Sequence, residues 1–277
     1  VCPLMGKFGF SNRYNKIMKK IINILVPYDF SDAARCALDY AVNYVGTSSD
    51  MHITLLYASM MKDTGHLENA FKSLRKEYGK ALRSPLTWMV ARDSLNNAIR
   101  KACEAVKADL IIMGTTGSSE TTTSPTHTSK FILQAECPVL VIPQAEREFH
   151  LKNIALVLGR DAIEERAVLE TLLDVVRRFN AKVHVLTIEN EPGDYGYSET
   201  EEKNENLLEY YLEDFYADHM FIENPDVVQG ICTYAEEKEI DMIAILPRNH
   251  ARRSSPSEGR LTRILTQRAK TPVLAID

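Results

Sequence analysis

Residues 109–143 read DLIIMGTTGSSETTTSPTHTSKFILQAECPVLVIP. Leu110 to Met113 is a short apolar run whose length and β-branched content suit a buried strand. Gly114 and Gly117 follow directly. Without a Cβ, the backbone there can turn sharply and bring N–H groups close to an anion. A Ser/Thr-rich loop comes next, then a helix-like segment from about Ser129 to Ala135, then a second buried strand from Val139 to Ile142. Strand, glycine turn, helix and strand form the unit that places a phosphate at a helix N-terminus beside the end of a parallel strand. Two glycines three apart also occur as plain turn residues, so the spacing alone does not select the function.

Working outward, 277 residues suffice for two domains of ordinary size, each with its own core. The composition, 45% hydrophobic and 26% charged, is that of a globular chain. A formal net charge of −5 gives no electrostatic footprint for nucleic acid. No apolar run reaches the roughly 18 residues that a membrane helix requires. The five cysteines are Cys2, Cys36, Cys103, Cys137 and Cys232, scattered and without a CxxC pair. This usage predicts reduced, buried thiols and a cytoplasmic protein. Residues 1–17 lack apolar periodicity and read as a disordered extension, with Met18 as the natural start and the patterned chain beginning at Lys19.

From there strands and helices alternate. Ile21 to Val26 is a strand, left by the turn Pro27-Tyr28-Asp29-Phe30. Ser31 is a helix N-cap ahead of Ala34, Ala37, Leu38, Ala41, Val42 and Val45 at helical spacing, with Gly46 as the stop. Ile53 to Ala58, Pro85 to Val90 and the two strands of the opening stretch complete a set of five, with helices over about Leu67 to Leu82 and Ser94 to Val106. Such alternation predicts a parallel sheet with right-handed crossovers.

After the polar stretch 144–150, read as a linker, the pattern restarts. Asn23-Ile-Leu-Val corresponds to Asn153-Ile-Ala-Leu, Ile53-Thr-Leu-Leu to Val183-His-Val-Leu, Asp109-Leu-Ile-Ile to Asp241-Met-Ile-Ala, and Cys137-Pro-Val-Leu to Thr271-Pro-Val-Leu. The expectation is two tandem, doubly wound, five-stranded parallel α/β domains, residues 18–143 and 151–277. Their closing strands, Pro138 to Ile142 and Pro272 to Ile276, are apolar and should pair, since an open apolar edge invites a partner.

Val26-Pro-Tyr-Asp-Phe-Ser31, Met113-Gly-Thr-Thr-Gly117 and Cys137-Pro-Val-Leu-Val-Ile142 together resemble the universal stress protein family in its tandem form. The likeness covers nearly all of the chain after Met18. It implies a Rossmann-like fold of the adenine nucleotide alpha hydrolase type, domain pairing within the chain or as a homodimer, and, in some members, ATP binding without strong hydrolysis. By that resemblance Asp29 contacts the nucleoside, with Pro27 and Tyr28 lining its turn. Met113, Gly114 and Gly117 open the phosphate loop, and Thr126 supplies a phosphate contact. The family pattern G-x-x-G-(nine residues)-G-S/T is broken here. Seven residues, Ser118 to Ser124, separate Gly117 from Pro125. Proline also lacks the N–H and the φ freedom of the glycine it replaces.

The second copy departs further. Gly159 stands where the first has Asp29, and Leu246-Pro247-Arg248-Asn249 replaces the glycine turn, so family-type ATP binding is expected in the first copy alone. The loop His250 to Arg260 is basic and reads as solvated or as a lure for a phosphorylated ligand. The loop Ser118 to Thr128 carries eight Ser/Thr residues and is either a plain polar loop or a phosphorylation target. Glu189 to Glu205 reads as a solvated acidic connection before a helix from about Leu207 to Phe215. Seven histidines without HxxxH or CxxH spacing give no metal site, and His52 and His184 read as structural or interface residues. No general base, catalytic lysine or ligand cluster accompanies the glycine turn, so the expectation is a non-enzymatic protein. Two readings stay open: a stress-type regulatory protein with an ATP or other adenine-nucleotide site, and a ligand-independent scaffold for an unidentified protein partner.

Overall fold

A computed structural model describes residues 20–60, 67–116, 131–132, 135, 137–144, 148–158, 163, 167–189, 199–246 and 260–276. The extension 1–17, Gly117, Pro125, Thr126, Gly159, the Ser118 to Thr128 loop and the His250 to Arg260 loop lie outside them, apart from Arg260 itself. The first unit contains β1 (Asn23–Pro27), α1 (Asp32–Val45), β2 (His52–Ala58), α2 (Leu67–Tyr78), β3 (Thr87–Ala91), α3 (Leu95–Val106), β4 (Leu110–Thr115) and β5 (Val139–Pro143). The second contains β6 (Asn153–Leu158), α4 (Ala167–Phe179), β7 (Lys182–Glu189), α5 (Glu199–Leu212), β8 (Tyr216–Glu223), α6 (Val227–Glu237), β9 (Met242–Ile245), α7 (Arg260–Arg268) and β10 (Val273–Ala275).

Local chemistry accounts for the ends of α1. The Ser31 hydroxyl accepts the N–H of Ala34 at 3.2 Å, and Gly46, at φ 54°, donates its N–H to the Val42 carbonyl. Between these caps Ala34, Ala37, Leu38, Ala41, Val42 and Val45 are all buried, the face that the periodicity marked.

The strands form one ten-stranded sheet in the order β3-β2-β1-β4-β5-β10-β9-β6-β7-β8. Pairing is parallel within each unit and antiparallel at the junction, where Val139, Leu140 and Val141 face Ala275, Leu274 and Val273. The two apolar closing strands therefore cover each other, and neither unit leaves that edge bare. Strand residues alternate between two cores. Ile24, Ile112, Leu140, Leu156 and Leu274 lie on one face under α1, α2, α4 and α5. Leu25, Ile111, Val141, Ile243 and Val273 lie on the other under α3, α6 and α7.

The repeat extends to its hydrogen bonds. Asp109 Oδ2 accepts the N–H groups of Ile22 and Asn23 at 3.0 and 2.9 Å. Asp241 Oδ2 accepts those of Lys152 and Asn153 at 2.6 and 2.8 Å. In both units a carboxylate thus satisfies backbone donors at the opening of the central strand.

Three expectations are corrected. Gly114 is a residue of β4, not the first residue of a turn, because parallel pairing with β5 carries the strand on to Thr115. The helix α2 stops at Tyr78 rather than Leu82. The stretch from Glu199 is helical, not a connection: α5 runs to Leu212 and a single 3₁₀ turn spans Glu213–Phe215. Its first turn carries Glu199, Glu201 and Glu202, a favourable charge at the positive end of a helix. Asn204, Leu208 and Leu212 bury its inner face, and Asn204 Oδ1 accepts the N–H of Ile163 at 2.9 Å.

Residues from the stretch between the units also pack. Phe149 stands edge-on to Tyr40 at 4.9 Å and tilted against Phe179 at 5.6 Å, between aromatic rings of the two units.

Candidate functional site

Within the first unit the strand order 3-2-1-4-5 reverses direction between β1 and β4. Chain leaving β1 turns to one side of the sheet and chain leaving β4 to the other. In open α/β sheets such a reversal opens a crevice beyond the C-terminal ends of the two strands, the position where ligands bind. Asp29 lies just past the end of β1, and Gly114 to Thr116 end β4.

The turn after β1 is held from both sides. Asp29 is exposed, and its Oδ1 accepts the Ser31 N–H at 3.0 Å. A carboxylate has about four acceptor positions, so this bond leaves capacity for a hydroxyl or an amine. Phe30 adopts φ 66°, a left-handed conformation that costs a bulky residue about 1–2 kcal/mol. Its ring is fixed against Tyr28 at 5.0 Å, Phe71 at 5.2 Å and Tyr57 at 6.0 Å, and Phe71 stacks on Trp88 at 5.5 Å. This aromatic block keeps the strained turn in one shape. The sequence reading passed over Phe30 as a site-shaping residue. Its signal was the aromatic pair flanking Asp29, but the sign of φ at a non-glycine residue has no local marker.

On the other side of the crevice, Gly114 is pressed against the first turn of α1. A Cβ there would overlap the carbonyl carbon and oxygen of Ala33 and come within 3.1 Å of the Ala34 nitrogen. Glycine is required by this close approach of helix to strand, not by a positive φ. The consequence is that the N-terminus of α1, carrying Asp29 and Ser31 ahead of it, sits directly over the end of β4.

The other expected site residues divide. Pro27 is half-buried, the last residue of β1, paired with Leu56. Tyr28 is 3% exposed; its ring belongs to the core, and its N–H bonds the Leu56 carbonyl at 2.8 Å, so its backbone rather than its ring borders the crevice. Burial raises the Tyr28 hydroxyl pKa above the ordinary phenol value, with Arg35 pulling it back down and Asp39, Glu77 and Asp29 adding to the rise. Met113 is 4% exposed and packs in the opposite core. Asp29 and Gly114 are thus brought together, while Tyr28 and Met113 turn their side chains inward. Gly117 and Thr126 lie outside the described residues. In the second unit Leu246 follows β9 and is buried, and Gly159 lies outside the described residues.

The model of the universal stress protein family matches residues 21–143. The match covers the first unit, from β1 to β5, and stops before the second. Solved structures extend the likeness in fold to both units. A universal stress protein from Archaeoglobus fulgidus DSM 4304 superposes with a TM-score of 0.65 at 18% identity, covering 91% of this chain and 97% of that one. A functionally unknown protein from Pseudomonas aeruginosa PAO1 gives 0.58 at 18% identity, covering 92% of each. The cytoplasmic domain of a prokaryotic cation chloride cotransporter gives 0.56 at 11% identity, covering 92% and 95%. No curated protein sequence matches the chain. The fold thus recurs in molecules of different kinds, and function has to be argued from the crevice. Among the described residues no helix is long and apolar enough to cross a membrane, and no group of three His, Cys, Asp or Glu side chains suits a metal.

Proposed function

We propose that this protein is a stress-type regulatory protein whose first unit binds an adenine nucleotide, ATP in the first instance, without catalysing its hydrolysis. The observation that carries the reading is the convergence of Asp29 and Gly114 at the reversal point of the strand order. The exposed Asp29 carboxylate is placed to accept hydrogen bonds from a nucleoside. The α1 N-terminus beside Gly114 offers positive dipole to a phosphate. Pro125 removes one backbone N–H from the family's phosphate clamp. Loss of a charge-assisted hydrogen bond of about 1.5–3 kcal/mol weakens binding roughly ten- to a hundred-fold, so the affinity is micromolar or weaker.

The scaffold reading has one observation in its favour. The Asp29 carboxylate already serves its own turn through Ser31, a structural role that needs no ligand. Mass analysis of the small molecules released from natively purified protein separates the two. An adenine nucleotide recovered in proportion to protein supports the first reading, and its absence together with failure of ATP to bind when added supports the second.

A further inference from the structure

On the face of the sheet opposite α1, a cavity of about 270 Å³ opens between α3 and the start of β5, lined by Arg100, Cys103, Ala108, Ile111, Phe131 and Cys137 among others. Two thiols meet in it. Cys103 lies in the last turn of α3 and is half-buried; Cys137 precedes β5 and is buried. Both residues line its wall. The Cys137 Sγ also lies 3.4 Å from the Ala108 carbonyl, while the Ala108 N–H donates to the Cys103 carbonyl at 3.0 Å. One residue therefore ties the end of the helix, at the Cys103 carbonyl, to the Cys137 thiol at the start of the strand.

The two thiols differ in character. Interaction with the Cys137 side chain draws the Cys103 thiol below the usual thiol range, outweighing the rise that burial imposes. The second unit provides an internal contrast. Thr271 stands where the first has Cys137 and Ala235 where it has Cys103, so the pair of thiols belongs to the first unit alone. The sequence reading took Cys36, Cys103 and Cys232 as reduced, buried thiols; in the structure all three are half-buried, and Cys137 is buried.

We propose that Cys103 and Cys137 are a reversible redox-modification site that a small hydroperoxide entering this cavity converts to a disulfide. The Cys103 thiolate attacks the outer peroxide oxygen, the O–O bond breaks, and the leaving alkoxide or hydroxide takes a proton. The resulting Cys103 sulfenic acid is attacked by the Cys137 thiolate, the S–S bond forms, and hydroxide leaves as water. Two thiols and one hydroperoxide give one disulfide, one alcohol or water, and one water, with two electrons passing from sulfur to oxygen. The cross-link joins α3 to the residue at the head of the strand that pairs the two units.

The test uses the full reduced chain treated with hydrogen peroxide. The intact mass should fall by two hydrogen atoms, and digestion should release a peptide joining Cys103 to Cys137 that dithiothreitol separates. Cys137→Ser should stop at a Cys103 sulfenic acid captured by a dimedone probe, and Cys103→Ser should prevent the cross-link and leave Cys137 unlabelled. The wild-type mapping stands by itself if either variant fails to fold. Oxidation of Cys103 to sulfinic acid without a cross-link, a disulfide through Cys36 or Cys232 instead, or dimedone labelling of Cys137 in place of Cys103 overturns the proposal.

Discussion

Gly114 and Ala33 meet backbone to backbone, so close that a single methyl group on the glycine would overlap the Ala33 carbonyl. This contact sets the height of α1 above β4 and, with it, the width of the crevice between Asp29 and the end of β4.

Gly114→Ala should therefore destabilise the ligand-free protein. Neither neighbour is the flexible end of a side chain, so the backbone must shift, at an overpacking cost of about 1–3 kcal/mol. Urea unfolding without nucleotide reads this as a lower midpoint. An unchanged midpoint would show that the glycine is not held by packing.

A second relationship joins the units. Arg178 of α4 donates from Nε to the Tyr44 carbonyl at 3.0 Å and from its terminal nitrogen to that of Val45 at 2.6 Å, and its guanidinium lies 5.6 Å from the centre of the Tyr44 ring. A cation from one unit thus caps the negative end of a helix in the other. One turn earlier, Asp174 Oδ2 accepts the Ile21 N–H at 3.1 Å. Arg178→Met keeps the apolar stem and removes the cap, and should cost about 1–2 kcal/mol of stability, measured by thermal or urea unfolding. A change within about 0.5 kcal/mol would show that the Arg178 cap adds nothing to the link between the units.

The third prediction concerns pH. His219 sits on β8, its ring stacked on Phe221 at 4.3 Å and its Nε2 3.0 Å from the Thr187 hydroxyl. Burial lowers its pKa below 6.5, against an opposing pull from Glu205, Glu201 and Asp218. With the folded pKa below the unfolded one, the unfolded chain takes up the proton first as pH falls. The stabilising contribution is complete above about pH 6.5 and is lost as pH drops through the folded value. The stability gap between wild type and His219→Gln should therefore narrow between pH 7 and pH 5. A gap that widens over that range would mean that the folded state favours the charged ring.

How much of this was legible in sequence depended on the range of the interactions. The ends of α1 could be read because Ser31 and Gly46 act on their own helix, within four residues. The meeting of β5 with β10 could be read because each strand is apolar and each follows directly on a proline, Pro138 or Pro272. The helix from Glu199 was missed since its charged first turns hide a narrow buried stripe of Asn204, Leu208 and Leu212, one member of which is polar. Gly114 was assigned to the right place for an incomplete reason: its neighbour Ala33 is distant in sequence, and nothing local announces a close approach. Phe30 escaped notice because a left-handed phenylalanine is a product of the aromatic block around it. In the crevice, Asp29 and Gly114 could be named from motif and resemblance, whereas the inward turn of Tyr28 and Met113 follows from the alternation of the strands.

Calorimetric titration of ATP into the wild-type chain, Asp29→Ala and Arg248→Ala addresses the central claim most directly. The account predicts one site per chain of micromolar or weaker affinity, abolished by Asp29→Ala and unaffected by Arg248→Ala, with little or no hydrolysis over the titration. Binding that survives Asp29→Ala and disappears with Arg248→Ala would put the nucleotide in the second unit and contradict the account.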